Sequence, residues 1–350
     1  MFWSTLPTPI IGLSPMDGVT DHPFRFIQKK YGRPDVVYTE FTSVEGVCHG
    51  ASRLLTDFLY DESQRPVVAQ IYGTTPDFFR QTAVLLCQLG FDGIDINMGC
   101  PAKNVAHSGA GAALIKTPKL AQDIIRETKA GVQDYLNGKR ARDCADVVEK
   151  IWREVEARHQ LLPTEYQQPR ELPVSVKTRV GYDEKVIDFW IPTLLEMEPA
   201  AIAVHGRTLK QQYGGQADWE TIGQGAIHTK NTNTLYLGNG DIESRADALH
   251  KINTYHLDGA LIGRSTFGNP FVFLDNGQPP HVNIFEIALE HAALFEHSYQ
   301  DDEKYNFLPM RKHLGWYVKS IPYATEIRQE IFRTNNADEV KEIFTKYELI

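Results

Sequence analysis

Eight short apolar runs punctuate the chain, at 10–13, 36–39, 67–71, 93–96, 174–177, 201–205, 235–238 and 259–262. Most are continuous rather than alternating, which fits parallel strands covered on both faces. Most neighbours are spaced by about 25–35 residues, room for one helix and two loops. The rhythm predicts an α/β protein, a TIM (β/α)8 barrel. A doubly wound open sheet is the other arrangement with this alternation, but no G-x-G-x-x-G follows the first run. Helix signals fill the gaps. Thr75-Pro76 and Thr117-Pro118 each set a capping residue before a proline at the first helical position. The first of these helices runs through Leu85, Leu86 and Leu89 to Gly90. The second keeps Leu120, Ile124, Ile125 and Thr128 on one face, with Gly131 placed to close it.

Two segments break the rhythm. Between Gly131 and Pro173, about forty residues stand where a barrel needs a few. Within 144–158, Val148, Ile151, Trp152 and Val155 form a helical stripe, so this insertion, 132–172, carries its own helix. It follows a helix and precedes a strand, which roots it on the N-terminal face of the barrel. It reads as a surface elaboration, with a partner or RNA contact as the alternative. After Gly268-Asn269-Pro270 the pattern changes again. Asp275-Asn276-Gly277 and Pro279-Pro280 make a turn-rich linker. Beyond it Ile284, Ile287, Ala288, Ala292 and Leu294 mark one helix, and 307–318, 324–332 and 337–344 mark three more. The chain divides into a barrel, 1–278, and an all-helical C-terminal domain, 282–350.

Composition narrows the class. Hydrophobic residues make up 42% and charged residues 23%, which argues against long disorder. No run of 18 apolar residues exists, so no membrane span is expected. The first eleven residues lack a basic segment and are broken by Pro7 and Pro9, unlike a secretory signal. Cys48, Cys87, Cys100 and Cys144 form no CxxC pair, which argues for a reduced, cytoplasmic protein without a metal site. The net charge of −9 is not that of a generic nucleic-acid binder. The distribution of charge matters more than its sum. A basic stripe of Lys103, Arg179, Lys210, Arg311, Lys312 and Lys319 is expected between the barrel mouth and the tail.

In a barrel of this kind the C-terminal strand ends converge on the active site. Polar residues cluster there. Ser14-Pro15-Met16-Asp17-Gly18 follows the first run and Glu40 the second, Gln70 ends the third, and Asn97-Met98-Gly99-Cys100-Pro101 follows the fourth. Lys177-Thr178-Arg179 ends the fifth, His205-Gly206-Arg207-Thr208 the sixth, and Asn239-Gly240-Asp241 and Gly263-Arg264 follow the last two. The glycines after runs seven and eight let backbone N–H groups approach an anion, and Arg264 adds charge. Sugar-phosphate enzymes share that feature. Cys100 lies in a turn where a core cysteine has no role. It reads as a general acid, since an ordinary thiol is mostly protonated at pH 7, or else as a thiolate nucleophile.

Taken together these strings resemble the tRNA-dihydrouridine synthases. The resemblance rests on Ser14 to Asp21 with Pro23-Phe24-Arg25, on Asp95 to Pro101 with Gly109 to Leu114, and on Val176 to Gly181. It rests also on His205 to Thr208 with Tyr213, Gly215, Ala217, Asp218 and Trp219, on Gly238 to Ile242, and on Ile262-Gly263-Arg264 with Gly268-Asn269-Pro270. Arg311-Lys312-His313 and Trp316-Tyr317 resemble the bacterial B-type branch. The family implies an FMN-dependent barrel with a helical tRNA-binding domain. It implies reduction of the C5=C6 bond of a D-arm uridine, with electrons from NADPH and with no obligatory protein partner. By position, Pro15, Met16, Asp17, Gln70, Lys177, His205, Asn239, Gly240, Asp241, Gly263 and Arg264 would hold FMN. Cys100 would be the proton donor. Asn97, Arg179, Lys103, Arg311 and Lys312 would contact the substrate. Asp17, where most members carry Ala or Gly, and the insertion with its Lys139-Arg140-Ala141-Arg142 cluster depart from the family pattern. That cluster reads as a solvated face, with an RNA contact as the alternative. A flavin barrel acting on a free pyrimidine would not need the tail. A silent tRNA-binding protein would not need Cys100.

Overall fold

The computed structural model describes residues 2–350 except Tyr213, Pro280, Asp301, Glu303, Lys304 and Ser320, and leaves aside the side chain of Lys103. Tyr213 of the family strings and Pro280 of the linker therefore lie outside the described residues. Eight parallel strands form one sheet: β1 (Ile10–Leu13), β2 (Val37–Ser43), β3 (Val67–Tyr72), β4 (Gly93–Met98), β5 (Val174–Gly181), β6 (Ala201–Thr208), β7 (Leu235–Asn239) and β8 (Gly259–Ile262). β2 to β8 pair in sequence order, and β8 returns to β1 with Ile10 opposite Gly259. The seam between β1 and the start of β2 closes through backbone bonds: Leu13 N–H donates to the Val36 carbonyl and Asp35 N–H to that of Ile11, both at 2.9 Å. The fold is a TIM barrel.

Side chains alternate along each strand, so every second residue points inward. The inward layer near the N-terminal ends is apolar, with Ile10, Tyr38, Val68, Ala203, Leu237 and Leu261 packed under Trp3. The next layer is polar. Gln70 Nε2 donates to Asp95 Oδ2 at 2.7 Å and Ser175 Oγ to Asp95 Oδ1 at 2.6 Å. The strands outrun their apolar runs at this end, β4 to Met98, β5 to Gly181 and β6 to Thr208. Residues that the hydrophobicity pattern assigns to loops thus remain in the ladder, Asn97 opposite Lys177 and Arg179 opposite His205.

The helix after Thr117 runs Pro118–Leu136, straight through Gly131. A Cβ on Gly131 would fall 2.1 Å from the Arg80 carbonyl oxygen. Gly131 is therefore the point where this helix touches the Pro76–Gln88 helix, and not its stop. The chain turns instead at Gly138, φ +99°. Neither Thr75 nor Thr117 makes the side-chain capping bond that the sequence suggests.

The insertion does carry a helix, Glu149–Leu161, which buries Ile151 and Val155. Its return segment passes beneath the barrel. There Arg65 and Arg170 both reach Asp92 Oδ1, at 3.0 and 3.1 Å, beside the start of β4 and away from the mouth. The basic cluster is matched within the chain: Lys139 with Asp134 at 3.4 Å, Arg142 with Glu156 at 3.8 Å, and Arg140 over the Tyr135 ring.

The tail folds as helices Ile284–Tyr299, Leu308–Tyr317, Ala324–Ile331 and Ala337–Lys346. Their apolar faces, with Ile287, Met310, Leu314, Ile327 and Phe344, make a second core that also takes in Ile27 and Phe271 of the barrel. Among the described residues no helix is long and apolar enough to cross a membrane.

Candidate active site

A cavity of about 950 Å³ opens among the C-terminal strand ends. That is the upper end of the range for small-molecule sites, enough for a cofactor and a base together. Asn97 shapes one side of it. Its Oδ1 accepts from the N–H groups of Gly99 (3.0 Å) and Cys100 (2.8 Å), while its Nδ2 donates to Gln70 Oε1 at 2.9 Å. Both faces of the amide are thus used to hold the turn that presents Cys100. The thiol lines the cavity yet is only 7% exposed. Burial pushes its pKa up, and the Asp17 charge adds to that, while the Ala102 N–H and the Arg179 and Lys177 charges oppose it without reversing the shift. The thiol is therefore protonated at neutral pH, and the nucleophile alternative loses ground.

Lys177 and His205 stand on β5 and β6 at the cavity floor. Burial, followed by the Arg179 charge, lowers the Lys177 ammonium to about 8. Its Nζ donates to Asn239 Oδ1 at 3.1 Å. His205 is pushed well below its ordinary value by burial and by the cations Arg179, Lys177, Arg207 and Arg264, so its ring is neutral. Arg179 is 3% exposed and donates to the Gly99 carbonyl at 2.6 Å and that of Thr208 at 3.2 Å. It braces the Cys100 turn from behind and is not part of an open basic stripe.

At the far end, Gly240 turns through φ +123°, where a Cβ would meet Ala217 at 2.6 Å and His205 at 2.9 Å. A Cβ on Gly263 would stand in ordinary contact with Met16 Sδ at 3.5 Å. Asp241 sits beside them in the left-handed region at φ +48°. Its carboxylate takes both Arg207 nitrogens (Nη1 to Oδ1 at 3.0 Å, Nη2 to Oδ2 at 2.5 Å), Arg264 Nη2 at 2.6 Å and the Ala217 N–H at 2.8 Å. Asp241 is thus an organiser of cations and backbone at this end.

The sequence model of the dihydrouridine synthase (Dus) family matches residues 12–139 and 148–348. This chain belongs to the dihydrouridine synthase family. It is 35% identical over 355 residues to a probable tRNA-dihydrouridine synthase of Staphylococcus epidermidis, covering 99% of this chain and 96% of that protein. It is 32% identical over 353 residues to probable tRNA-dihydrouridine synthase 2 of Bacillus subtilis, covering 99% and 96%. The Dus match leaves out only 140–147 of the insertion. The Glu149–Leu161 helix falls inside the matched segment, so the insertion departs from the family less than its length suggests.

Of the residues singled out by the Dus resemblance, Pro15, Met16, Asp17, Asn97, Cys100, Lys177, Arg179, His205, Asn239, Gly240, Asp241, Gly263 and Arg264 all line the one cavity. Gln70 does not. It is fully buried one layer below, bonded to Asp95 and Asn97. Lys103 begins the short helix after the Cys100 turn, its side chain outside the described residues. Arg311 is pinned within the tail, Nε to the Thr334 carbonyl at 2.7 Å and Nη2 to Asn335 Oδ1 at 2.9 Å. Lys312 reaches from the tail to the Gly18 carbonyl. Glu40 lies within β2, off the cavity wall, where burial and then Asp21, Asp57 and Asp17 raise its carboxyl to about 8. The sequence reading misses Phe41 and Phe267 of the cavity lining, and names Arg207 only within the strand-end string, without a role. Arg207 carries the one usable signal, standing two residues past His205 on the same inward face of β6.

Proposed function

We propose that this enzyme reduces the C5=C6 bond of a uridine in the D arm of tRNA to 5,6-dihydrouridine, in the cytoplasm, with FMN as resident cofactor and NADPH as electron donor. The observation that carries this reading is a buried thiol, Cys100, sharing one cavity with a glycine-lined, arginine-bearing anion end. The residues fit such a cofactor. Gly240 and Gly263 leave the backbone accessible, and Arg264, steered by Asp241, supplies positive charge for a phosphate. Lys177 is a buried ammonium with a donor to give to a ring carbonyl, beside the neutral His205. Pro15 and Met16 close the opposite wall. Gln70 serves this site indirectly, through Asn97.

A bound flavin supplies the hydride chemistry. The chain supplies placement and the proton. Negative charge develops toward O4 and C5 of a uracil as C6 is reduced, and the cations in this cavity stabilise it. The Cys100 thiol gives its proton to C5, which completes the saturated ring. Asn97 and Arg179 hold the thiol in position through the backbone of residues 99 and 100. Reaching a base in folded RNA costs a few kcal/mol of unstacking, which contacts elsewhere on the RNA must offset. The helical tail beside the mouth is suited to provide them. The test is direct: the purified protein reconstituted with FMN should be yellow, and a deletion strain should lose dihydrouridine at one D-arm position. A colourless protein after reconstitution, or an unchanged dihydrouridine map, contradicts the reading.

A further inference from the structure

The cavity wall between β1 and β8 is built from two glycine-turned loops, with Gly18 at φ +67° and Gly268 at φ +68°. Asp17 of the first and Phe267 of the second line the cavity. What covers these loops is the tail helix Leu308–Tyr317. The Phe267 ring lies flat on the Trp316 indole, centroids 3.9 Å apart and planes within 9°. The Gly268 backbone approaches so closely that a Cβ there would sit 2.2 Å from the Trp316 carbonyl oxygen. Lys312 donates its ammonium to the Gly18 carbonyl and also stands 5.5 Å from the Trp316 ring centre. Lys319 Nζ reaches the Phe267 carbonyl at 3.5 Å. Three contacts from this tail helix and a fourth from Lys319 just beyond its end thus run into the two loops that form one wall of the active site.

We propose that Trp316 and Lys312 are positioning residues for uridine reduction, holding Phe267 and the Asp17-Gly18 turn as a fixed wall for the target base. This rests on the function proposed above. Lys312 accordingly serves the catalytic mouth and not a phosphate of the RNA. The tail then does two jobs, binding RNA and completing the site to which the base is delivered. Misplacement of a reacting group by about 1 Å costs up to about 10²-fold in rate, so a loosened wall is felt in the chemical step.

The experiment uses the full-length protein, flavin-loaded for the two tRNA measurements, as wild type, Trp316→Ala, Trp316→Phe and Lys312→Met. Three quantities are measured: the rate of flavin reoxidation at saturating unmodified tRNA, the salt dependence of tRNA binding, and amide exchange of residues 264–268 without flavin. Trp316→Ala should lower the saturated rate by about 10–100-fold while RNA affinity holds. It should also speed exchange in 264–268, and Trp316→Phe, which keeps a stacking ring, should restore both. Lys312→Met should slow the saturated step and leave the salt slope unchanged, whereas removing a phosphate contact lowers that slope by about one. Should Trp316→Ala fail to fold, the Lys312→Met comparison decides alone. A wild-type saturated rate in Trp316→Ala or Lys312→Met, or a salt slope reduced by about one in Lys312→Met, overturns the proposal. If wild type itself leaves tRNA unreduced, the functional reading fails instead, and unchanged exchange in Trp316→Ala still overturns the positioning role on its own.

Discussion

Cys100 is set apart from the other three thiols by its place. Cys48 and Cys144 are raised to about 12 and about 11 by burial in the helical layer, and Cys87 is raised further still. None of these three lines the cavity. Iodoacetamide should therefore modify Cys100 first, with a rate that climbs only above the ordinary thiol range near pH 8.5, as its raised pKa requires. Mass mapping that finds Cys48 or Cys87 modified first would contradict this. A second residue-scale prediction concerns Arg207, which is 2% exposed and gives Asp241 two hydrogen bonds. Arg207→Met leaves that carboxylate with one cation. Stability should fall by about 1–3 kcal/mol in urea titrations, the cost of a lost charge-assisted bond. Retention of FMN should weaken with it, because Asp241, no longer fixed by Arg207, directs Arg264 less firmly. Unchanged flavin affinity would show that Asp241 does not steer Arg264.

At the scale of elements, Gly131 lets the Pro118–Leu136 helix meet the Pro76–Gln88 helix at close range. Gly131→Val should cost at least the 1–3 kcal/mol typical of overpacking, since backbone carbonyl and not a mobile side chain blocks the new atoms. An unchanged denaturation midpoint would contradict the close approach. The same glycine shows what a pattern of hydrophobic positions can and cannot reveal. All eight strands and the four tail helices were legible, because burial on one face or both leaves a period in the sequence. Gly131 was misread because a packing glycine and a stop glycine look alike along the chain. The strand ends were cut short because β4, β5 and β6 turn polar where they enter the functional layer, so Asn97, Arg179 and Arg207 resemble loop residues. The polar lining of the cavity was visible for the same reason, as polar residues in phase at one end. What stayed hidden is non-local: Arg207 reaching Asp241, and Trp316 covering Phe267 from 49 positions away, leave no periodic trace.

Across the whole molecule, barrel and tail meet at a buried aromatic seam. His291 and His313 lie there with ring centroids 5.0 Å apart, against Phe24 of the barrel. Burial lowers His291 to about 3, and it lowers His313 well below its ordinary value, with His291 and Lys312 adding to the effect. Both rings are neutral when folded, so the unfolded chain binds more protons below about pH 6.5. Their contribution to stability is complete above that pH and declines as pH falls below it, by up to about 1.4 kcal/mol per pH unit for each ring. The buried carboxyls Asp21 and Asp57, raised to about 6, act in the opposite sense, so the histidine part must be isolated by difference. The His313→Phe variant should show a shallower loss of stability between pH 6 and 4 than wild type. Parallel curves would contradict the assignment. The central claim, that Cys100 protonates a uracil reduced in this cavity, has its most direct test in anaerobic stopped-flow absorbance. The flavin is reduced with NADPH and then mixed with unmodified tRNA. Cys100→Ala should take up FMN and accept electrons from NADPH as wild type does. Its reoxidation by tRNA should be slower by roughly the 10²–10⁴-fold of a lost general acid. Reoxidation as fast as wild type would contradict the account.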